Sequence, residues 1–169
     1  LVKVSIQTGF DKQLNIRIAR TGEFLAFSSV LGDTTYSYTA TALRNSTICM
    51  IERDALKNLL EENSDFSMRI TSRNCRNESR LFEIIRNIAY KQMPGKLASA
   101  LIYLSSPGFA GESIFTMLTR QELADFASVS TESAIKILKE FEQEGIIELN
   151  GKDILILKKD KLEEISLKG

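Results

Sequence analysis

Residues 131–136 read Thr-Glu-Ser-Ala-Ile-Lys. On a helix, that spacing sets three short polar side chains at the start and a cation one turn further along the same face. Thr131, Glu132 and Ser133 can approach base edges in a DNA groove, with Glu132 accepting from a cytosine amino group. Lys136 can reach guanine or phosphate, and Arg120, Gln121, Lys139 and Lys152 are placed for phosphate contact, in part through a helix N-terminus. A plainer reading also fits: a capped helix start in a module that docks another protein and not DNA. Residues 119–169 hold eight basic and eleven acidic side chains, a net of −3, which counts against DNA. Most of those acids fall late in the helix or beyond it, on the side expected to face away.

The elements that must position these side chains are legible on either side of them. Thr119-Arg120-Gln121-Glu122 fits a capping box, Leu123, Ala124, Phe126 and Ala127 form the inner face of the helix it opens, and Ser128-Val129-Ser130 is the turn. Ser130 or Thr131 caps a second helix with Ala134, Ile135, Leu138 and Phe141 inward, and Gly145 ends it. Ile146–Leu149, Asn150-Gly151 and Ile154–Leu157 spell a hairpin. Helix, short turn, helix and hairpin make a winged helix-turn-helix, whose second helix can enter the major groove. A short strand is expected at 114–118 and an amphipathic helix over Leu97, Ala98, Leu101, Ile102 and Leu104, with Pro94 in its first turn.

Upstream, the pattern is β-rich. Val2, Val4 and Ile6 alternate with polar residues, as do Leu14, Ile16 and Ile18, and the pair forms a hairpin about Gly9-Phe10-Asp11. Further turns fall at Thr21-Gly22-Glu23 and Gly32-Asp33, and further strands at 36–42 and 47–51, as in a roll or barrel. A short helix carries Leu56, Leu59 and Leu60. A long one then runs from Asn63-Ser64-Asp65 to about Tyr90 with Ile70, Asn74, Asn77, Leu81, Ile84 and Ile88 at 4-3-4-3-4 spacing. That is a heptad seam for pairing with a second copy, its Asn positions fixing register. The alternative is one amphipathic helix lying on the β-domain, its apolar face widened by Phe82 and Ile85. The expected division is a partial sensor roll over 1–62, a dimerisation helix over 63–92 and a winged helix over 93–169.

Composition narrows the chemistry. The chain has 169 residues, 22 basic and 22 acidic side chains, no His and no Trp. Without His, the commonest general base and transition-metal ligand are missing. There is no Gly-rich phosphate loop and no nucleophile–base pair at a recognisable spacing, so an enzyme is not expected. Cys49 and Cys75 cannot make a zinc site alone and are expected to be buried free thiols in a reducing, cytoplasmic compartment. No cofactor and no metal are expected. No apolar run approaches the ~18 residues of a membrane span. The first residue is Leu1, opening directly into a strand, which reads as a chain lacking the first part of its sensor.

The order β-roll, long heptad helix and winged helix-turn-helix resembles the Crp/Fnr family of bacterial transcription regulators. The likeness is densest at Leu118-Thr119-Arg120-Gln121-Glu122-Leu123-Ala124, at Val129 to Lys139, at Gly145-Ile146-Ile147 and at Asn150-Gly151-Lys152. It implies an α+β chain, a partial double-stranded β-helix (jelly-roll) sensor ahead of the two helical parts, acting as a homodimer on a palindromic operator in double-stranded DNA, with RNA polymerase as a further partner. The family's recognition-helix Arg-Glu-x-x-x-Arg falls on Thr131, Glu132 and Lys136. Glu132 is kept, Lys136 keeps the charge without the bidentate fork, and Thr131 loses the cation.

The sensor half departs further. Cyclic-AMP-binding members carry a ribose-binding Glu where this chain has Phe27, a phosphate-binding Arg where it has Tyr36, and an adenine-binding Thr-Ser pair where it has Leu81-Phe82. Two cysteines are too few for the iron–sulfur cluster of oxygen-sensing members. The remaining expectation is an unknown small-molecule effector in an apolar pocket near Phe27, Tyr36 and Phe82. Burying a phosphate against such a lining without a paired cation costs several kcal/mol. Titration with cyclic AMP or cyclic GMP is therefore expected to give no micromolar binding, and micromolar affinity would refute the expectation.

Overall fold

The computed structural model describes residues 1–9, 12–32 and 35–169, which form two compact units, Leu1–Gln7 with Ile16–Ile84 and Thr8–Asn15 with Ile85–Gly169. Phe10, Asp11 and Asp33, assigned to turns from the sequence, lie outside the described residues.

In the first unit, strand β1 (Val2–Gln7) and the part of β2 (Gln13–Ala19) from Ile16 onward precede a single helical turn, α1 (Ser28–Leu31), and strand β3 (Thr39–Ala42). The sheet order is β2-β1-β3, and β1 pairs antiparallel with β3 from Val2 opposite Ala42 to Ser5 opposite Thr39. Val2, Val4 and Ala19 form a small apolar cluster with Leu25 and Tyr38 packed on it. Lys3 and Ser5 are buried as well. Burial along β1 therefore does not follow the simple in–out alternation.

Two expected strands are corrected here. The one at 36–42 shrinks to the exposed β3, and the one at 47–51 does not form. Ile48, Met50 and Ile51 are all exposed. An extended segment becomes a strand only when a neighbour takes its N–H and C=O groups, and no described strand lies beside this one.

Helix α2 (Arg53–Glu62) follows with Leu56 buried, and then α3 (Ser64–Tyr90). Asn63 starts the long helix as its sequence suggests: its Oδ1 accepts from Phe66 N at 2.9 Å. Both cysteines are free and exposed, Cys75 on α3, which corrects the expectation of buried thiols.

In the second unit, α4 (Met93–Leu104) carries Pro94 in its first turn and buries Leu97, Leu101 and Leu104. A 3-10 turn (Pro107–Phe109) leads to α5 (Ile114–Met117), where a strand was expected. Ile114, Phe115 and Leu118 are buried. That i, i+1, i+4 spacing is helical, and five apolar-rich residues are too few for periodicity to decide between helix and strand.

Helices α6 (Arg120–Ala127) and α7 (Thr131–Gln143), strands β4 (Ile147–Asn150) and β5 (Asp153–Ile156), and α8 (Lys159–Lys168) complete the unit. Their core is Leu123, Leu138, Ile146, Ile147 and Leu162. The inner face of α7 is Ala134, Ile137, Leu138 and Phe141. Ile137 replaces the expected Ile135, which is partly exposed. Helix α8, which periodicity left unassigned, packs along α4, where Lys91 Nζ donates to Ser99 Oγ at 2.8 Å and to Ser166 Oγ at 3.0 Å.

Gly145 terminates α7 at φ +63°. Ile146 N donates to Phe141 O at 2.9 Å and Gly145 N to Glu142 O at 2.9 Å, the paired bonds of a left-handed helix stop. A Cβ there would meet only Lys158 Nζ, at 3.5 Å, so space does not forbid a side chain. The cost of Gly145→Ala is then conformational. A destabilisation of roughly 1–2 kcal/mol is expected, read as a lower denaturant midpoint at unchanged slope.

Candidate nucleic-acid interface

The site begins with two helix starts. Thr119 Oγ1 accepts from Glu122 N at 3.1 Å, and Glu122 Oε2 accepts from Thr119 N at 2.8 Å, closing the capping box of α6. Ser128 ends that helix in the left-handed region at φ +53°. Ser130 Oγ then accepts from Ser133 N at 3.1 Å and starts α7. Ser128 N and Val129 N donate to Ala124 O at the first end of the turn, and Ser130 closes the second, so local hydrogen bonds hold both ends. This connection presents Thr131, Glu132 and Ser133 in the first turn of α7.

These side chains are differently engaged. Thr131 is half-buried, and its hydroxyl donates to Gln121 Oε1. Glu132 is exposed, and its carboxyl is held below the ordinary range by its own backbone N–H and then by the Ser130 hydroxyl. Ser133 is half-buried beside Ser130. Lys136 is 80% exposed, its Nζ 3.9 Å from Glu140, a separation that leaves the cation available. Lys139 and Lys152 are exposed.

Arg120 has a different position from the one its charge suggests. Its Nη2 donates to Gly151 O at 2.8 Å and its Nη1 to Lys152 O at 3.1 Å. Those two carbonyls are the loop of the β4–β5 hairpin, which pairs Asn150 with Asp153. The turn residues are thus Gly151 and Lys152, with Gly151 at φ +63°, one place later than the Asn150-Gly151 reading. Burial lowers the Arg120 pKa from its ordinary value. The guanidinium braces the wing against α6.

Behind Gln121 lies Asp125, a carboxylate only 6% exposed. Gln121 Nε2 donates to its Oδ1 at 2.9 Å, and Gln13 Nε2 to its Oδ2 at 3.0 Å. Nearby, Asn15 is fully buried, with Nδ2 donating to Glu122 O at 2.8 Å and Oδ1 without a hydrogen bond. Sequence reading missed Gln13, Asn15 and Asp125. Only Asp125, an acid set inside the buried run from Leu123 to Ala127, carried any local signal.

Among the described residues of the first unit lie cavities of about 740 and 450 Å³. Phe27 lines both. Tyr36 (66% exposed) and Phe82 (63% exposed) line neither, so the three expected pocket residues do not meet. The smaller cavity is walled instead by Tyr38, Asn74, Asn77 and two cations, Arg17 and Arg73. Arg17 is bound to Glu23 at 3.0 Å and to Phe24 O at 3.1 Å, and Arg73 to Gly22 O. Of the heptad positions on α3, Ile70 and Ile84 are buried and Asn77 half-buried, while Asn74, Leu81 and Ile88 are exposed, as are Phe82 and Ile85. Among the described residues no group of three His, Cys, Asp or Glu side chains could hold a metal ion, and no helix is long and apolar enough to cross a membrane.

The Arg120 brace is testable without a ligand. Arg120→Ala is expected to raise amide exchange across β4–β5 by roughly tenfold, and Arg120→Lys, which can restore one bond at most, by less. Unchanged exchange in both variants would show that the wing holds itself.

Residues 1–63 match the cyclic nucleotide-binding domain, and residues 95–165 match the Crp-like helix-turn-helix domain. The transcriptional activator protein FnrA of Stutzerimonas stutzeri is 30% identical over 129 residues, 72% of this chain and 52% of that protein. The cAMP-activated global transcriptional regulator CRP of Salmonella typhimurium is 28% identical over 120 residues, 68% of this chain and 57% of that protein. The chain thus spans about half the length of the curated relatives it matches. A CRP-family transcriptional regulator from Thermus thermophilus superposes with a TM-score of 0.79 over 99% of this chain and 84% of its own. At 18% identity, that likeness speaks to the fold alone. With a sensor-type domain, a long helix and a Crp-like winged helix in the same order as these proteins, the chain belongs to the Crp/Fnr family.

Proposed function

We propose that this chain is a cytoplasmic, homodimeric regulator of transcription that reads double-stranded DNA through the start of α7. The observation that carries the proposal is the short capped turn, which leaves Thr131, Glu132 and Lys136 at an accessible helix start beside a braced wing. Lys139, Lys152 and the helix N-terminus of α6 supply phosphate contacts, with Gln121 contributing its remaining N–H. Arg120 acts mainly by holding the wing.

Pairing of two copies runs along α3. Leu81, Phe82, Ile85 and Ile88 all leave apolar surface exposed on one helix, and a twofold partner is the simplest way to cover it. Two recognition helices then meet a palindrome, and RNA polymerase is the downstream partner through which regulation is exerted.

The sensor is not expected to hold a cyclic nucleotide. Phe27 stands at the ribose position, and Tyr36, at the phosphate position, lies outside the cavities. The cations that do line the smaller cavity already serve Glu23 and backbone carbonyls, so an entering phosphate would have to displace them. The proposed effector is a small molecule of another class.

The net of −3 over residues 119–169 favours a second reading, a winged helix that docks a protein. Selection of bound sequences from random duplex DNA separates the two. The expected result is a palindrome whose affinity falls steeply with salt as counterions are released. Lys136→Ala should cost about 1–3 kcal/mol and relax one position in each half-site. No duplex binding at low salt would favour protein docking, and equal loss on every sequence would make Lys136 a phosphate contact.

A further inference from the structure

We infer that the buried carboxylate of Asp125 determines which bases this chain accepts at one position of its site, by fixing where the Thr131 hydroxyl proton points. The inference rests on α7 being the base-contacting helix. Four side chains of the second unit form one hydrogen-bonded line: Gln13 and Gln121 each donate an amide N–H to Asp125, at 3.0 and 2.9 Å, and Thr131 meets the far end of Gln121. Asp125 is 6% exposed and touches no DNA itself, so it is a positioning residue.

The direction of every bond follows from donor and acceptor chemistry. A carboxylate offers acceptors only, so both amides turn their NH2 groups toward Asp125. The carbonyl end of Gln121 then faces Thr131, and a carbonyl oxygen can only accept. The single proton of the Thr131 hydroxyl is therefore consumed, and the oxygen presents lone pairs alone to the groove. A free threonine hydroxyl can serve either a donor or an acceptor on a base edge. This one is complementary to the amino groups of adenine and cytosine and is opposed by guanine O6 and N7 and thymine O4.

The test compares sites selected by the 169-residue chain and by its Asp125→Asn, Thr131→Val and Gln121→Ala variants. The unaltered chain should select adenine or cytosine at one position of each half-site, with guanine or thymine there weakening binding roughly fivefold to tenfold, as for one lost hydrogen bond. Asp125→Asn is nearly isosteric but lets the amides reverse. Gln121 can then donate to Thr131, the hydroxyl proton is released, and discrimination at that position should fall below about twofold while the others are kept. Thr131→Val should abolish the same preference and no other. Should the buried substitution unfold the chain, Gln121→Ala, at an exposed position, frees the hydroxyl while Asp125 keeps its bond from Gln13. It should lower affinity on all sequences while losing the same discrimination.

Retained adenine/cytosine preference in Asp125→Asn, or in Gln121→Ala if the former does not fold, would overturn the inference. So would indifference of the unaltered chain at the position that Thr131→Val alters. Failure of the unaltered chain to select any DNA would overturn the DNA reading and this inference with it.

Discussion

The first backbone N–H groups of any α-helix lack intrahelical acceptors. In α6 and α7 one of them is taken up by a side chain just outside each helix, the Glu122 N–H by Thr119 and the Ser133 N–H by Ser130. The consequence reaches beyond the roughly 2 kcal/mol that such a cap contributes at most. A cap fixes the backbone direction at entry, and here two caps fix the entry to both helices, with only a short turn between them. The start of α7, the placement of Gln121 against Thr131 and the seat of Arg120 beneath the wing all follow from those two entries.

Charge then acts locally. With 22 basic and 22 acidic residues, the chain has no overall field to steer it toward a polyanion. Several of the acids have structural work instead. Glu122 closes the capping box, Glu142 accepts from Leu149 N at 3.1 Å at the base of the wing, and Asp125 is buried between two amides. Their charges are held at fixed places in the structure, so a bare count does not say what field a phosphate would meet at the start of α7. Arg120 works in the same sense with opposite sign, since a cation committed to two carbonyls adds less to binding than its charge suggests.

What could be read in the sequence divides along the range of the interactions. The capping box, the helix stop at Gly145 and the hairpin are set by residues within a few positions of each other, and they form where the residues indicate. The wing turn moved by one place and the inner face of α7 by two, from Ile135 to Ile137, which are the small errors expected when periodicity is read from a short window. The strands at 47–51 and 114–118 failed for a different reason. Strand pairing and burial are decided by neighbours far along the chain, and neither segment carries that information in itself. The cavity residues Arg17, Arg73 and Tyr38 were hidden likewise, because they come together only when strands and α3 are folded. Family resemblance pointed to Tyr36 and Phe82, which face elsewhere.

The two amide side chains contributed by β2 carry a consequence for the order in which the surface around the start of α7 matures. The caps of α6 and α7 close over three residues, whereas Gln13 reaches Asp125 across 112 positions and Asn15 reaches Glu122 across 107. Bringing such distant segments together carries a loop-closure entropy that local turns avoid, so contacts of this kind form late. A newly made winged helix would reach its backbone geometry first and acquire the Gln13 bond to Asp125 last. Asn15, whose Oδ1 finds no donor, makes that last docking step weaker than full burial would suggest. The backbone of α7 can thus be native before the side-chain network behind it is complete.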